Sequence, residues 1–240
     1  TIVIGATQSS GGSTDHGRLA GLSDDDHPQY LTESRHADID AADHGSGTAT
    51  DGYVLTADGS GGAAYLRTGS IFRNNLVLGN QSANLGGGIR IQHGSGQLVE
   101  NNTIVGNYAS TYGGGLYQET GAVTNAILWA NAAGSGGQDF AGSITNIGYS
   151  CASDLPPDPL TGNIDEYPVF DKPGSGVGLA HVAGDYHLKV ESPCANAGVY
   201  IAWMDSAFDF DNEPRIQDAG VNMGAYERLI LPRGTLFLLR

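Results

Sequence analysis

The sequence predicts an all-β protein: a short parallel β-helix with a C-terminal cap, preceded by an extended N-terminal segment with little core of its own. Three observations predict it. First, residues 73–150 repeat one phrase three times, as FRNNLVLGNQSANLGGGIRIQHGSGQ, VENNTIVGNYASTYGGGLYQETGA and the more degraded VTNAILWANAAGSGGQDFAGS. Second, the apolar runs inside the copies are short: LVL at 76–78, IRI at 89–91, TIV at 103–105, GLY at 115–117 and AIL at 126–128. Their length and composition suit strands. Third, Gly and Asn punctuate those runs, and both tolerate the positive φ that sharp corners need. A repeat in the twenties marks a solenoid, in which each coil buries its apolar face against its neighbours.

The first segment, residues 1–69, differs from the rest. It holds four of the seven His, runs of Asp, and clusters of Gly, Ser and Thr. Its apolar stretches are limited to TIVI at 1–4, YVLT at 53–56 and AAYL at 63–66. Such a segment buries too little apolar area to offset its ordering entropy. It is therefore expected to fold against other chains.

The coils occupy 70–150. Asn75 and Asn102 open equivalent Asn-x-apolar-apolar runs 27 residues apart, and the Gly triplet at 86–88 recurs 27 residues later at 113–115. The third run starts at Asn125, 23 residues after Asn102, and Asn146-Ile147 echoes it 21 residues further on. The triplets lack the Lys-Ser/Thr of a phosphate loop and read as coil corners. An Asn before each run, facing inward, is expected to stack as a ladder, because an inward amide is costly unless it bonds the next coil.

Residues 151–240 leave the repeat and supply the final coils and cap. They include PPDP at 156–159, an extended surface loop, and end in the apolar tail LILPRGTLFLLR. A solenoid end exposes strand edges that must be covered. The two cysteines, Cys151 and Cys194, lie 43 residues apart in this block. They fit either one disulfide or two buried thiols, and by themselves make no four-ligand zinc site.

Eleven Lys and Arg stand against 26 Asp and Glu, a formal charge of −15. That balance offers no basic patch for nucleic acid or for an anionic membrane surface. No apolar run approaches the length of a membrane span, so no insertion is expected. No charged region followed by an apolar stretch opens the chain, so no secretory signal is expected.

Two resemblances add to this. YPVF (167–170), DYHL (185–188), SPCANAG (192–198), DFDNEPR (209–215) and QDAGVNMGAYE (217–227), with NNTIVGN and NAILWAN upstream, resemble a widespread group of bacterial right-handed parallel β-helix proteins. That resemblance implies the fold and the hand of the coil, and is silent on activity. HGRLAGLSDDDHPQYLTESRH (16–36) and ATDGYVLTADGSGGAAY (49–65) resemble two modules of bacteriophage tail fibres and tailspikes, with Tyr65 where Trp is usual. Those modules imply a virion protein and a homotrimer joined to other tail or capsid proteins. His16, Leu22, Asp24, Asp25, Asp26, His27, Tyr30 and Leu31 would carry the attachment and trimer motif. A trimeric spike meeting host cell-surface polysaccharide is the leading expectation. A capsid decoration protein and a polysaccharide-degrading tailspike are the alternatives.

Three constellations are candidates for chemistry. His16, His27, His36 and His44 lie around Asp24, Asp25 and Asp26. In a trimer His27 would be presented three times and could hold a metal, whereas Asp-Asp-Asp-His-Pro also reads as a turn. Asp205, Asp209, Asp211 and Glu213 gather near Arg215. Paired carboxylates suit glycoside hydrolysis, and alternating acids suit Ca²⁺. Charge-assisted bonds tying cap loops together are the plainer expectation. Finally, Tyr108, Tyr112, Tyr117 and Trp129 are expected as a carbohydrate-stacking strip on one face of the coils, or as packing. No Ser-His-Asp order and no dinucleotide fingerprint stands out, so neither catalysis nor a cofactor is expected.

Overall fold

The computed structural model describes residues 62–217 and 220–227, and the backbone of 50–51 and 54–55. The chain winds through four short parallel sheets in turn. The first coil gives β1 (Thr50–Asp51), β2 (Val54–Leu55) and β3 (Ala64–Leu66). The second gives β4 (Ile71–Arg73), β5 (Leu76–Leu78), β6 (Gln81–Ser82) and β7 (Ile89–Ile91). The third gives β8 (Leu98–Glu100), β9 (Thr103–Val105), β10 (Tyr108–Ala109) and β11 (Leu116–Gln118). The fourth gives β12 (Ala122–Thr124), β13 (Ile127–Trp129), β14 (Ala132–Ala133) and β15 (Phe140–Ala141). A last partial coil adds β16 (Ile147–Gly148) and β17 (Cys151–Ala152). Among the described residues the solenoid therefore reaches back to Thr50, upstream of the expected boundary at residue 70. Thr50 pairs with Phe72 and Val54 with Leu76, both in parallel. Val54–Leu55 and Ala64–Leu66 are too short to make a core alone, and they become strands by adding to an edge the next coil presents.

Inward side chains stack coil on coil. Phe72, Val99, Val123 and Ile147 lie in register on the first sheet. Val77, Ile104, Leu128 and Ala152 do so on the second. With Leu66, Ile89, Ile91 and Leu116 of the fourth sheet they form one buried core. The fourth sheet alternates buried and half-buried, with Ile89 and Ile91 inside and Arg90 facing out. The second sheet does not alternate: Leu76, Val77 and Leu78 are all buried. A strand covered on both faces reads as a continuous apolar run.

What covers its outer face is the C-terminal block. Residues 149–164 form a further short turn, in which Ile164 bridges Cys151. The chain then folds back along the side of the coils. The antiparallel pair β18 (Phe170–Lys172) and β19 (Asp185–Leu188) places Phe170, Tyr186 and Leu188 against Leu76, Leu78, Val105 and Ile127, with Met223, Ala225 and Tyr226. The block expected to close an end thus also clads a flank.

Of the ladder expected before each apolar run, only the Asn75–Asn102 step is present; a longer inward ladder stands after the runs, and a further row of Asn stands at the corners. Asn80 donates both its N–H and its Nδ2 to Asn107 Oδ1, and Asn107 does the same to Asn131 Oδ1. Asn131 hands on to Asp139 Oδ1, at 2.9 Å through each nitrogen. The second ladder runs Asn75 to Asn102. Its next position is Ala126, whose N–H is taken by Ser150 Oγ at 3.0 Å. Ile127 pairs with Thr103 and Thr124 with Glu100, so Asn125 stands opposite Asn101, one place from the alignment the sequence suggested. The Asn-Asn dipeptide explains the slip. Its first residue (Asn74, Asn101, Asn125) takes a left-handed corner with φ of 54° to 55°, and its second faces inward. The third copy kept the corner and lost the ladder residue. Asn146 lies one position before Ile147, which pairs with Val123, so it is no counterpart of Asn125.

Candidate functional site

At the seam between coils and cladding lies a groove of about 330 Å³, lined by Val105, Trp129, Ala130, Tyr167, Phe170 and His181 and by the 173–177 loop. Its formation can be followed from the corners after the second-sheet strands. These corners are LGN, VGN and WAN in successive coils. Gly79, Gly106 and Ala130 all adopt positive φ there, 66°, 69° and 56°. His181 lies directly over the first two. A Cβ on Gly106 would sit 2.1 Å from its Nδ1, and one on Gly79 2.9 Å from its Cβ. Gly178 N–H closes the contact on Gly106 O at 2.7 Å. At the third corner the sequence turns to Trp129-Ala130, and the groove opens beside Trp129.

An aromatic row forms the floor. Trp129 and Tyr167 have ring centroids 5.8 Å apart and tilted by 59°. Tyr167 meets Phe170 edge-on at 6.3 Å, and Phe170 meets Tyr186 at 5.2 Å. Trp129 is half-buried and Tyr167 is 40% exposed. The far end is fixed by hydrogen bonds. His181 Nδ1 lies 3.0 Å from Gly176 O, which can only accept, so Nδ1 carries the hydrogen. Tyr186 then donates its hydroxyl to His181 Nε2 at 2.9 Å and accepts from Gly184 N–H at 3.1 Å. Burial pushes the Tyr186 phenol up. No carboxylate is among the described residues lining the groove. The arrangement offers stacking surfaces and a backbone rim, without a carboxylate pair of the kind glycoside hydrolysis uses.

The four aromatics expected as one strip are divided among the faces. Trp129 ends β13 on the second sheet. Tyr108 begins β10 on the third, against Gly178 of the cladding. Tyr112 lies at the corner beyond, bridged to Gly136 and exposed. Tyr117 points out from the fourth sheet and donates to Glu119 Oε1 at 3.2 Å. A four-sided coil turns successive strands to different directions, so these residues, successively 4, 5 and 12 apart, do not share one face. Only Trp129 joins the groove. Its partners Tyr167, Phe170 and His181 come from the non-repeating block, where no period marked them. The YPVF phrase was visible, and its stacking role was not.

The carboxylate cluster resolves into two structural devices. Arg215, fully buried, donates Nη1 to Glu227 Oε1 at 2.6 Å, Nε and Nη2 to Asn74 Oδ1, and Nη2 to Gly224 O. Asp209 accepts from the N–H groups of Asp211, Glu213 and Glu227. Burial pushes Glu227 up to about 7 against the pull of Arg215. Asp205 accepts from the Tyr200 hydroxyl at 2.9 Å. The second device joins Asp185, His187 and Asp211. His187 Nδ1 meets Asp185 Oδ1, and Nε2 meets Asp211 Oδ2, each at 2.5 Å. Burial pulls the imidazole down, but bonds to the two carboxylates outweigh it and its pKa is raised. No group of three or more His, Cys, Asp or Glu among the described residues is arranged to hold a metal. His16, Leu22, Asp24, Asp25, Asp26, His27, Tyr30, Leu31, His36 and His44 lie outside the described residues, and with them the metal and trimer expectations.

Compared with protein-family models, curated proteins and solved structures, the chain matches none.

Proposed function

We propose that this chain is a structural virion protein of a bacteriophage, a trimeric tail fibre, tailspike or surface spike. Its N-terminal segment attaches it to other tail or capsid proteins, and its solenoid binds host-surface carbohydrate at the Trp129–Tyr167 groove. The virion part rests on the DDDHPQYL and DGYVLTADGSGGAAY phrases. The observation that carries the binding part is the tilted pair of half-buried Trp129 and exposed Tyr167 in a groove without carboxylates. The apolar face of a sugar ring stacks on such rings while its hydroxyls stay wet or reach the rim. The groove is at the small end for ligand sites, roughly 300–1,000 Å³, so a single site would bind weakly. Three copies on one spike would raise avidity by about 10² to 10⁴.

The test is binding of the full-length protein to capsule or lipopolysaccharide from candidate hosts. Trp129→Ala and Tyr167→Ala should each weaken binding at least about tenfold, the loss of roughly 1.4 kcal/mol, while Tyr117→Ala leaves it unchanged. Wild-type binding by both groove variants would remove the groove from the account. Release of reducing ends that Asp211→Asn abolishes would replace binding by polysaccharide cleavage. Light scattering should give a trimer. A monomer whose residues 1–49 still resist protease would overturn the attachment role.

A further inference from the structure

We infer that Cys151 and Cys194 become a disulfide when the folding chain meets a low-molecular-weight disulfide oxidant, stapling the lateral cladding to the last coil. The inference stands apart from the host-binding proposal. Cys151 begins β17, in register with Ile127 of β13. Cys194 arrives 43 residues later on a turn held from two sides. Its N–H donates to Ser192 Oγ at 3.1 Å, and its carbonyl accepts from Met223 N–H at 3.0 Å. Ser192 Oγ in turn donates to Pro168 O. Both side chains are fully buried in the same outer cluster, with Phe170, Tyr186 and Met223. The Cys151 thiol donates to Glu166 O at 3.1 Å, with the Cys194 thiol beside it. Independent parts of the fold thus bring the sulfurs together.

Other uses of these thiols fit poorly. No third or fourth ligand is placed with them among the described residues, as a structural zinc site would require. Neither lines the groove. Contact with Cys194 and burial push the Cys151 thiol up, which suppresses the thiolate that nucleophilic chemistry needs. What remains is pairing. A Cys194 thiolate formed while the cladding is still open attacks the oxidant's disulfide and expels one small thiol. Cys151 then attacks the mixed disulfide at the Cys194 sulfur and expels the second. Two protein thiols become one S–S bond, one oxidant disulfide becomes two thiols, and no other acceptor is needed. Closing a loop of this length is expected to raise the thermal midpoint by roughly 10 °C.

The experiment uses the full-length protein, unfolded and reduced, then refolded with oxidised and reduced glutathione. It is denatured in iodoacetamide and weighed. The expected product carries no alkyl group, is lighter than the reduced chain by two hydrogens, and yields one cross-linked peptide containing Cys151 and Cys194. Two alkylated cysteines, or glutathione retained on either cysteine, would overturn the inference. Reduction should lower the thermal midpoint of the wild type and leave that of Cys194→Ser unmoved. If Cys194→Ser fails to fold, the mass of the wild type still decides.

Discussion

Asn107 shows what one residue does in this solenoid. Its Oδ1 accepts two bonds from Asn80, and its Nδ2 reaches Val77 O, Val105 O and Asn131 Oδ1. Removing the amide orphans buried partners on both neighbouring coils, at about 1–3 kcal/mol each. Asn107→Ala should therefore cost at least about 3 kcal/mol in denaturant unfolding. Asn102→Ala should cost less, because Ala126 already interrupts that ladder at the next coil. Arg215 makes the same point with charge. Arg215→Ala leaves the Glu227 carboxylate buried without its partner and should cost roughly 3–5 kcal/mol. Adding Glu227→Gln should recover part of that loss, and a double-mutant cycle measures how much.

Among elements, the joint between β19 and the 209–212 loop responds to pH. His187 has a raised pKa in the folded protein. Its contribution is fully present below its unfolded value, near 6.5, and is lost as pH rises through the folded one. Glu227, up to about 7, acts in the same direction: the folded state holds a proton that the unfolded state has released, so stability falls between about 4.5 and 7. Asp185 is lowered by its bond to His187, and its contribution disappears only as pH falls through the acid range. The cladding should thus be most stable at mildly acidic pH and weaken toward and above neutrality. Thermal midpoints across pH should show this slope, and His187→Gln with Glu227→Gln should flatten it. The corner under His181 is the other sensitive element. Gly106→Ala would press a Cβ into the imidazole at positive φ, loosening the 174–182 segment. Faster hydrogen exchange there, with the ladder amides still protected, is the expected result.

For the whole molecule, the second sheet is the interior of a two-part body, with coils on one side and cladding on the other. A chain ended at residue 164 would uncover Leu76, Leu78, Val105 and Ile127 and should bind hydrophobic dyes or aggregate. A cladding that only closed the end would leave such a chain soluble. The solenoid was legible from the repeat alone, because each coil meets its neighbours at a constant sequence distance and must carry the same residues to do so. The inward Asn75–Asn102 step was legible too, since a buried amide needs a bonding partner one coil away, whereas the longer ladder through Asn107 was not foreseen. The all-apolar runs of the second sheet carried the sign of a two-sided covering, though not what covers it. The sequence left open whether the two cysteines meet and where the flanking block lies, and it put the four aromatics on one face. These depend on contacts such as Asn74 with Arg215, 141 residues apart, which follow no period. Periodic contacts leave a record in spacing, whereas contacts made once across the fold leave none. The Trp129–Tyr167 groove belongs to the second kind, so its place was decided only when the chain folded back along its own side.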